Sequence, residues 1–479
     1  MRLRFAPSPT GNLHIGTLRA ALFNWLFAKA NKGTFVLRIE DTDLERSDAQ
    51  YETNIYDGLE WLGLTVDEGP NEGGDYGSYR QSERIKAGVY DDMAKKLLDS
   101  GYAYYCFLTP EDIEKEKESA IKKGIPYVHS RRSSDMTDTD IQIALAEGKP
   151  YAIRFKMMDD RVITFTDLVR GEIRFDCSLL SDFVLMKSDG TPSYNFAVVV
   201  DDAAMAITHV IRGEDHISNM PRQLALYEAL SLPAPQFGHL PMILGPDKSK
   251  LSKRHGATAI TDYRDRGFLS EAFMNYLALL GWSPDGEQEL LSCDDLIKQF
   301  SLDRVHKSGA VFDVQKLTWM NGQYLRKLSV EALYSLVMRY VSADFSQLMQ
   351  GYDLKKQQLA VAAIQDNLDV LSDVRNYLDV FFESDSAYLD LVKDQVFSAD
   401  QCLVLKTFLE LLEQSTADSM DDYNALLDAV CKKLDLGKGK VFKPIRLALT
   451  GRGSGPNIGA LLAFFEDDVI SKRLGDCLD

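Results

Sequence analysis

Two short segments carry residue types spaced for phosphate chemistry. The first, Pro7-Ser8-Pro9-Thr10-Gly11-Asn12-Leu13-His14-Ile15-Gly16-Thr17, lies at the start of the sequence. Its prolines stiffen the approach, and Gly11 and Gly16 permit close approach of a ligand or of backbone. His14 and Thr17 are expected in or just before the first turn of a helix. Free N–H groups and the positive dipole end attract phosphate there. The second segment, Lys250-Leu251-Ser252-Lys253-Arg254, is flanked by Gly245-Pro246 and Gly256. Gly-Pro marks a turn, so this stretch reads as a loop that can move. Its two lysines supply point charges for ATP phosphates, and Ser252 adds a donor. Phosphoryl and nucleotidyl transfers are catalysed largely by positioning and charge stabilisation. A cationic loop closing on the α-phosphate suits that need. Alone, the first segment is also a capped helix start and the second a basic surface loop; the pair together points to ATP.

Such segments need a scaffold to bring them together. Leu3 to Ala6 reads as a short strand. The helix after Gly11 should run to about Lys29, with Ile15, Leu18, Ala21, Leu22, Trp25 and Leu26 on one face. Thr34 to Glu40 is the next strand. Strand, glycine turn, helix and strand open a parallel, Rossmann-type nucleotide-binding sheet. Val198-Val199-Val200 and Ala206 to Ile211 are further strand candidates. Between about 80 and 190 the pattern changes. A charged helix from Glu111 to Lys123 precedes strands at Tyr151 to Met157 and Val162 to Phe175, the latter broken at Arg170-Gly171. This reads as an α+β insertion into the sheet. Short helices follow from about 245 to 325, with Leu277, Leu279, Leu280 and Trp282 as core. Of the 15 prolines, 13 precede residue 330, and Glu331 to Leu436 holds none, so the last third is predicted to be helical. Leu333, Leu336, Val337 and Tyr340 recur at helical spacing there, and Ser329 can cap that helix. The expected architecture is an α/β N-terminal Rossmann-type catalytic domain (1–80 and 190–245) with an inserted α+β subdomain (81–189). A subdomain carrying the lysine loop (246–328) and an all-α C-terminal region (329–479) complete it.

Composition bounds the class. A chain of 479 residues with 45% apolar and 26% charged residues fits a globular protein of several domains. No window offers the roughly 20 apolar residues that span a bilayer, and no signal-peptide core is present. A cytoplasmic protein without a membrane role is therefore expected. Cys106, Cys177, Cys293, Cys402, Cys431 and Cys477 form no C-x-x-C pair and no cluster with zinc-ligand spacing, so reduced thiols are expected. The net charge of −18 does not exclude a nucleic-acid partner, because phosphate binding needs only a local basic surface. Residues 432–452 supply one: Lys432, Lys433, Lys438, Lys440, Lys443, Arg446 and Arg452 against Asp435.

Five motifs in order make the chain resemble the glutamyl-tRNA synthetases, class I aminoacyl-tRNA synthetases of bacterial type. They are Arg4-Phe-Ala-Pro-Ser8-Pro-Thr-Gly, Arg38-Ile-Glu40-Asp-Thr-Asp43, Tyr194-Asn-x-x-Val198-Val-Val-Asp-Asp202, Val210-Ile-Arg212-Gly-Glu-Asp215-His216 and Lys250-Leu-Ser-Lys253-Arg. The end of the chain, Arg446-Leu-Ala-Leu-Thr-Gly451, resembles that family too. The resemblance implies ATP-dependent ligation of L-glutamate to tRNA(Glu) through a glutamyl-adenylate. It implies that His14, Thr17, Lys250 and Lys253 stabilise the reacting phosphate. Pro7, Ser8, Gly11, Gly16, Asp215, Leu251, Ser252 and Arg254 join them in the ATP site, with Mg2+ on the phosphates. It assigns Arg4 and Arg212 to the glutamate side-chain carboxylate, where a guanidinium offers a bidentate fork that keeps its proton. Tyr194 joins them as a neutral donor, and Glu40 with Ser8 takes the α-ammonium. The insertion is implied to bind the acceptor end of tRNA, residues 246–328 its stem and the helical region its anticodon. Two departures stand out. Thr17 replaces the second histidine of the class motif. Around Tyr105-Cys106-Phe107 and Tyr127-Val-His129-Ser-Arg131-Arg-Ser133, where some relatives hold zinc, only Cys106 remains, so no zinc is expected. The resemblance also implies a monomer.

Overall fold

The computed structural model describes the chain apart from residues 44–45, 125–126, 128, 130, 159–160, 383–384, 394 and 479, and apart from the side chains at 132, 179, 253, 385–387 and 389. The chain forms two compact units, Met1–Asp262 with Phe273–Asp313, and Tyr263–Ala272 with Val314–Asp479.

The strands of the first unit are β1 (Arg2–Phe5), β2 (Thr34–Leu37), β3 (Ala103–Cys106), β4 (Ala152–Phe155), β5 (Val162–Asp167), β6 (Gly171–Asp176), β7 (Phe183–Met186), β8 (His209–Gly213), β9 (Gln236–Leu240) and the short pair β10 (Ile243–Leu244) and β11 (Ala310–Val311). Six of them form one sheet in the order β2-β1-β8-β9-β5-β6. All its pairings are parallel except the β5–β6 hairpin. The opening strand, helix and strand are as expected. The helix α1 (Ile15–Ala30) buries the anticipated face, and Phe23 and Ala28 as well, so it is enclosed on more than one side. Strand β2 stops three residues short of Glu40, yet its line continues. Arg38 N donates to Phe5 O at 2.9 Å, and Glu40 N to Pro7 O at 3.0 Å.

Three expectations are corrected. Val198-Val199-Val200 is not a strand but the middle of a helix, Tyr194–Ala204. Phe196, Ala197 and all three valines are buried there, and burial outweighs the modest strand preference of β-branched side chains. Ala206 is not in the next strand either; it turns with φ +51°, and β8 begins at His209. The hairpin 162–176 was expected in the insertion. It is the edge of the main sheet instead, with Asp167 opposite Phe237 and Leu168 N donating to Phe237 O at 2.8 Å. Phe165 packs edge-on to Phe237 at 6.3 Å and stacks on Phe175 at 6.4 Å, which gives the hairpin its place. The sheet of the insertion itself is β3-β4-β7, antiparallel.

The described residues of the second unit form helices and no strand. Ser329 caps the helix Val330–Tyr340 by accepting from Ala332 N, and Leu333 and Val337 are its buried stripe. Phe464 joins Phe381, Phe382 and Tyr352 with ring centroids 5.0, 5.3 and 5.2 Å away.

One buried carboxylate ties the helix Tyr194–Ala204 to its surroundings. Asp201, 0% exposed, accepts from Gln81 Nε2 at 2.7 Å, Arg84 Nε at 2.6 Å and Tyr90 OH at 3.0 Å. Asp201→Ala leaves the Arg84 guanidinium buried without its carboxylate, so a loss of about 3–5 kcal/mol is expected. Urea denaturation of the variant measures it, and a change below about 1 kcal/mol would contradict this account.

Candidate active site

A cavity of about 680 Å³ opens at the carboxyl ends of β1 and β8, where parallel sheets of this kind bind ligands. Arg4, Pro7, Ser8, His14, Gly16, Thr17, Glu40, Tyr194, Arg212, Asp215, Lys250 and Leu251 all line it. Gly11, Ser252 and Arg254 are not among the lining residues. Lys253 begins the short turn Lys253–His255, and its side chain lies outside the described part of the structure.

His14 is the N-cap of α1, and its Nδ1 accepts from Gly16 N at 3.1 Å. That bond leaves the neutral ring with its proton on Nε2. Burial, and then the charge of Lys250, hold its pKa below the ordinary value. A neutral donor therefore stands at the positive end of a helix, where an anion is favoured. Lys250 reaches Asp215 at 3.3 Å, with 64% and 48% of the two side chains exposed. A pair so exposed is worth about 0–1 kcal/mol, so the ammonium can leave it for a phosphate. Arg254 turns to Asp247 at 3.1 Å, within its own loop. His255, which the sequence gave no reason to choose, folds that loop by accepting from Ser252 N at 3.1 Å. A Cβ on Gly245 would meet the His255 ring at 2.9 Å, which is why glycine stands there.

The opposite wall is charged and buried. Arg38, 0% exposed, donates to Asp202 at 2.6 Å and to Glu40 at 3.0 Å. Arg4 Nε donates to the same Asp202 oxygen at 3.1 Å. Burial raises the Asp202 pKa, but Arg4 and Arg38 outweigh it and hold the carboxylate below its ordinary value. For Glu40 the balance is reversed: burial outweighs Arg38 and Arg4, and its pKa is raised. Arg212 differs from both other arginines. Its Nε donates to His239 Nε2 at 3.2 Å, its Nη2 to Gln223 Oε1 at 2.8 Å and its Nη1 to Tyr194 OH at 3.4 Å. Burial lowers its pKa. Tyr194 OH also meets His216 Nδ1 at 3.0 Å, and burial, then Arg212, push His216 down to about 4. Arg19 is a further lining residue that the sequence did not mark; it donates to Leu280 O at 3.0 Å, and burial lowers it to about 10. It came from a helix face read only for its apolar residues.

The cavity thus joins a phosphate-attracting rim to a pocket with a cationic guanidinium and a carboxylate. Such a site can hold a nucleotide beside a small zwitterion with an extra acidic group.

In the insertion, Cys106 Sγ lies 3.6 Å from His129 Nε2, and Tyr127 OH is 3.1 Å from His129 Nδ1. Arg131 is held on Asp182 at 2.9 Å. One thiol and one imidazole with hydroxyl and guanidinium neighbours do not make the four-ligand set that zinc takes. Among the described residues no group of three His, Cys, Asp or Glu is placed to hold a metal.

Comparison with known proteins agrees with this geometry. Residues 1–319 match the family described as "tRNA synthetases class I (E and Q), catalytic domain", and residues 324–478 match "Anticodon binding domain". A glutamate–tRNA ligase of Heliobacterium modesticaldum is 46% identical, covering 96% of this chain and 93% of the relative. One from Natranaerobius thermophilus is 45% identical over 100% and 98%. The crystal structure of a glutamate tRNA ligase from Elizabethkingia meningosepticum in complex with its amino acid superposes with a TM-score of 0.88 at 35% identity, covering 100% and 99% of the two chains.

The raised pKa of Glu40 sets a pH dependence. A carboxyl raised on folding contributes stability below its ordinary value of 4.5 and loses it as pH rises through the higher folded value. Glu40→Gln should flatten the stability profile in that window. Melting curves across mildly acid to neutral pH check this, and an unchanged slope would contradict it.

Proposed function

From the premise that this chain belongs to the glutamate–tRNA ligase family of class I aminoacyl-tRNA synthetases, we propose how its residues divide the work. The family activity is ATP-dependent ligation of glutamate to tRNA(Glu). Glutamate enters with its α-ammonium on Glu40 and Ser8 and its side-chain carboxylate on Arg212, Tyr194 and Arg4. The α-carboxylate attacks the α-phosphate of ATP, forming glutamyl-adenylate and releasing diphosphate. Charge develops on the phosphate oxygens in that step, and donors aimed at it lower the barrier. His14 supplies a neutral N–H at the start of α1, Thr17 a hydroxyl, and Lys250 and Lys253 positive charge. Mg2+ bound with ATP as part of the substrate would supply further charge neutralisation on the phosphates. A ribose hydroxyl of the terminal tRNA adenosine then attacks the activated carbonyl, and AMP leaves. No covalent intermediate with the protein is required.

The observation that carries this reading is the shared cavity. It places Arg212, buried on neutral partners, within the same walls as His14, Thr17 and Lys250. The insertion within 81–189, apart from the hairpin 162–176, is assigned to the acceptor end of tRNA, residues 246–328 to its stem and 329–479 to the anticodon. Lys440 and Lys443 are exposed on the helix Lys438–Thr450 and suit a phosphate backbone. We assign a monomer, a cytoplasmic location and no bound zinc.

Charging purified tRNA(Glu) with labelled glutamate tests the whole reading, and absence of tRNA-dependent acylation would overturn it. Lys250→Ala should lower kcat by about a hundredfold, the loss seen when one charge-stabilising donor is removed, with little change in the KM for glutamate. Unchanged kcat would remove Lys250 from the reaction.

A further inference from the structure

Arg212 is held in an unusual way for a buried cation. Arg4 and Arg38 both rest on the Asp202 carboxylate. Arg212, 7% exposed, rests on an imidazole, an amide, a phenol and the Met220 sulfur. Every one of these partners is neutral when it accepts. The guanidinium charge is therefore left unneutralised inside the pocket, where a ligand carboxylate gains most from meeting it.

The imidazole can accept from Arg212 only in one protonation state, and a second residue determines that state. His239, on β9, presents Nε2 to the Arg212 Nε–H at 3.2 Å. Its Nδ1 lies 2.6 Å from Asp167 Oδ2, at the end of β5. Both side chains are fully buried. Asp167 cannot turn away, because its Oδ1 accepts the backbone N–H groups of Val169 at 2.9 Å, Arg170 at 2.9 Å and His239 at 3.2 Å. Oδ2 must then take the proton of His239 Nδ1, and Nε2 is left with its lone pair toward Arg212. Gln223 is oriented by the same logic: its Nε2 donates to Asn195 Oδ1 at 3.0 Å, so Oε1 faces Arg212.

We propose that Asp167 and His239 are positioning residues of the glutamate pocket: Asp167 locks the His239 tautomer, and the locked ring holds Arg212 without neutralising it, for the substrate's side-chain carboxylate. The proposal rests on the assignment of Arg212 to that carboxylate. Burial, working against the Asp167 hydrogen bond, keeps the His239 pKa below its ordinary value, so the ring stays the neutral acceptor. A carboxylate in direct contact with Arg212 would compete with the substrate; the ring keeps the Asp167 charge one residue away. The bland alternative is that Asp167 and His239 only tie β5 to β9.

Asp167→Asn separates the two readings. Its carbonyl oxygen keeps the three backbone bonds, and its amide NH₂ replaces Oδ2 against Nδ1. The ring must then carry its proton on Nε2, pointing at the Arg212 N–H. His239→Phe keeps a ring but offers no acceptor, and His239→Gln keeps an acceptor oxygen. Aminoacylation kinetics are measured for these and for Arg212→Ala. Asp167→Asn and His239→Phe should raise the KM for glutamate roughly tenfold or more, with kcat and the KM for ATP within about twofold, and His239→Gln should recover most of the loss. Should His239→Phe not fold, Asp167→Asn, checked by its melting temperature, decides alone. An unchanged KM for glutamate in Asp167→Asn and His239→Phe, with a raised KM in Arg212→Ala, overturns the positioning role and leaves the Arg212 assignment standing. A loss in His239→Gln equal to that in His239→Phe overturns it as well. An unchanged KM in Arg212→Ala overturns the assignment and the proposal together.

Discussion

A buried charge must be matched by an opposite charge and by hydrogen bonds, or the fold does not hold it. In this protein Arg38 imposes that demand most strongly. It is wholly enclosed, and it bridges Glu40, just beyond β2, to Asp202 on the helix Tyr194–Ala204. Asp202 in turn holds Arg4 of β1, and its neighbour Asp201 gathers Gln81, Arg84 and Tyr90. Arg4, Arg38 and Arg84 thus stand against Glu40, Asp201 and Asp202, three cations on three anions. The network joins segments up to 198 residues apart in sequence, from Arg4 to Asp202, and fixes one wall of the cavity before any ligand arrives.

The rest of the cavity is built on the opposite rule. Among the described residues Arg212 has no carboxylate in contact, Lys250 sits in a weak exposed pair, and His14 stands neutral at a helix start. On the reading proposed above, each is left incomplete where a substrate group would complete it. On that reading the matched cluster supplies the rigidity, and the unmatched groups are the ones assigned to binding and charge stabilisation. A site built only of matched pairs would hold its shape and bind little.

Much of this was legible in the residues. His14 at the start of a helix, the α1 stripe, the Ser329 cap and the helical last third all follow from local rules of spacing and capping. The local rules failed where burial decided. Three consecutive valines read as a strand and form a helix, because that helix is buried along most of its length and loses little by its β-branched side chains. The hairpin 162–176 read as part of an insertion, because nothing local says that Asp167 will pair with Phe237 some 70 residues later.

The sequence by itself determined the chemistry: which groups can carry charge, donate or accept, and which short strings place them at strand ends and helix starts. Motif order was enough for ATP, glutamate and tRNA. Only the tertiary structure decided which charges are neutralised. Arg4 and Arg212 are the same side chain in the sequence and were assigned the same task. One lies on Asp202, and the other on His239 and Gln223. That difference depends on long-range packing of β1, β5, β8 and β9 with the helix Tyr194–Ala204. The electrostatics of a buried group are set by its neighbours in space, and no spacing along the chain encodes them.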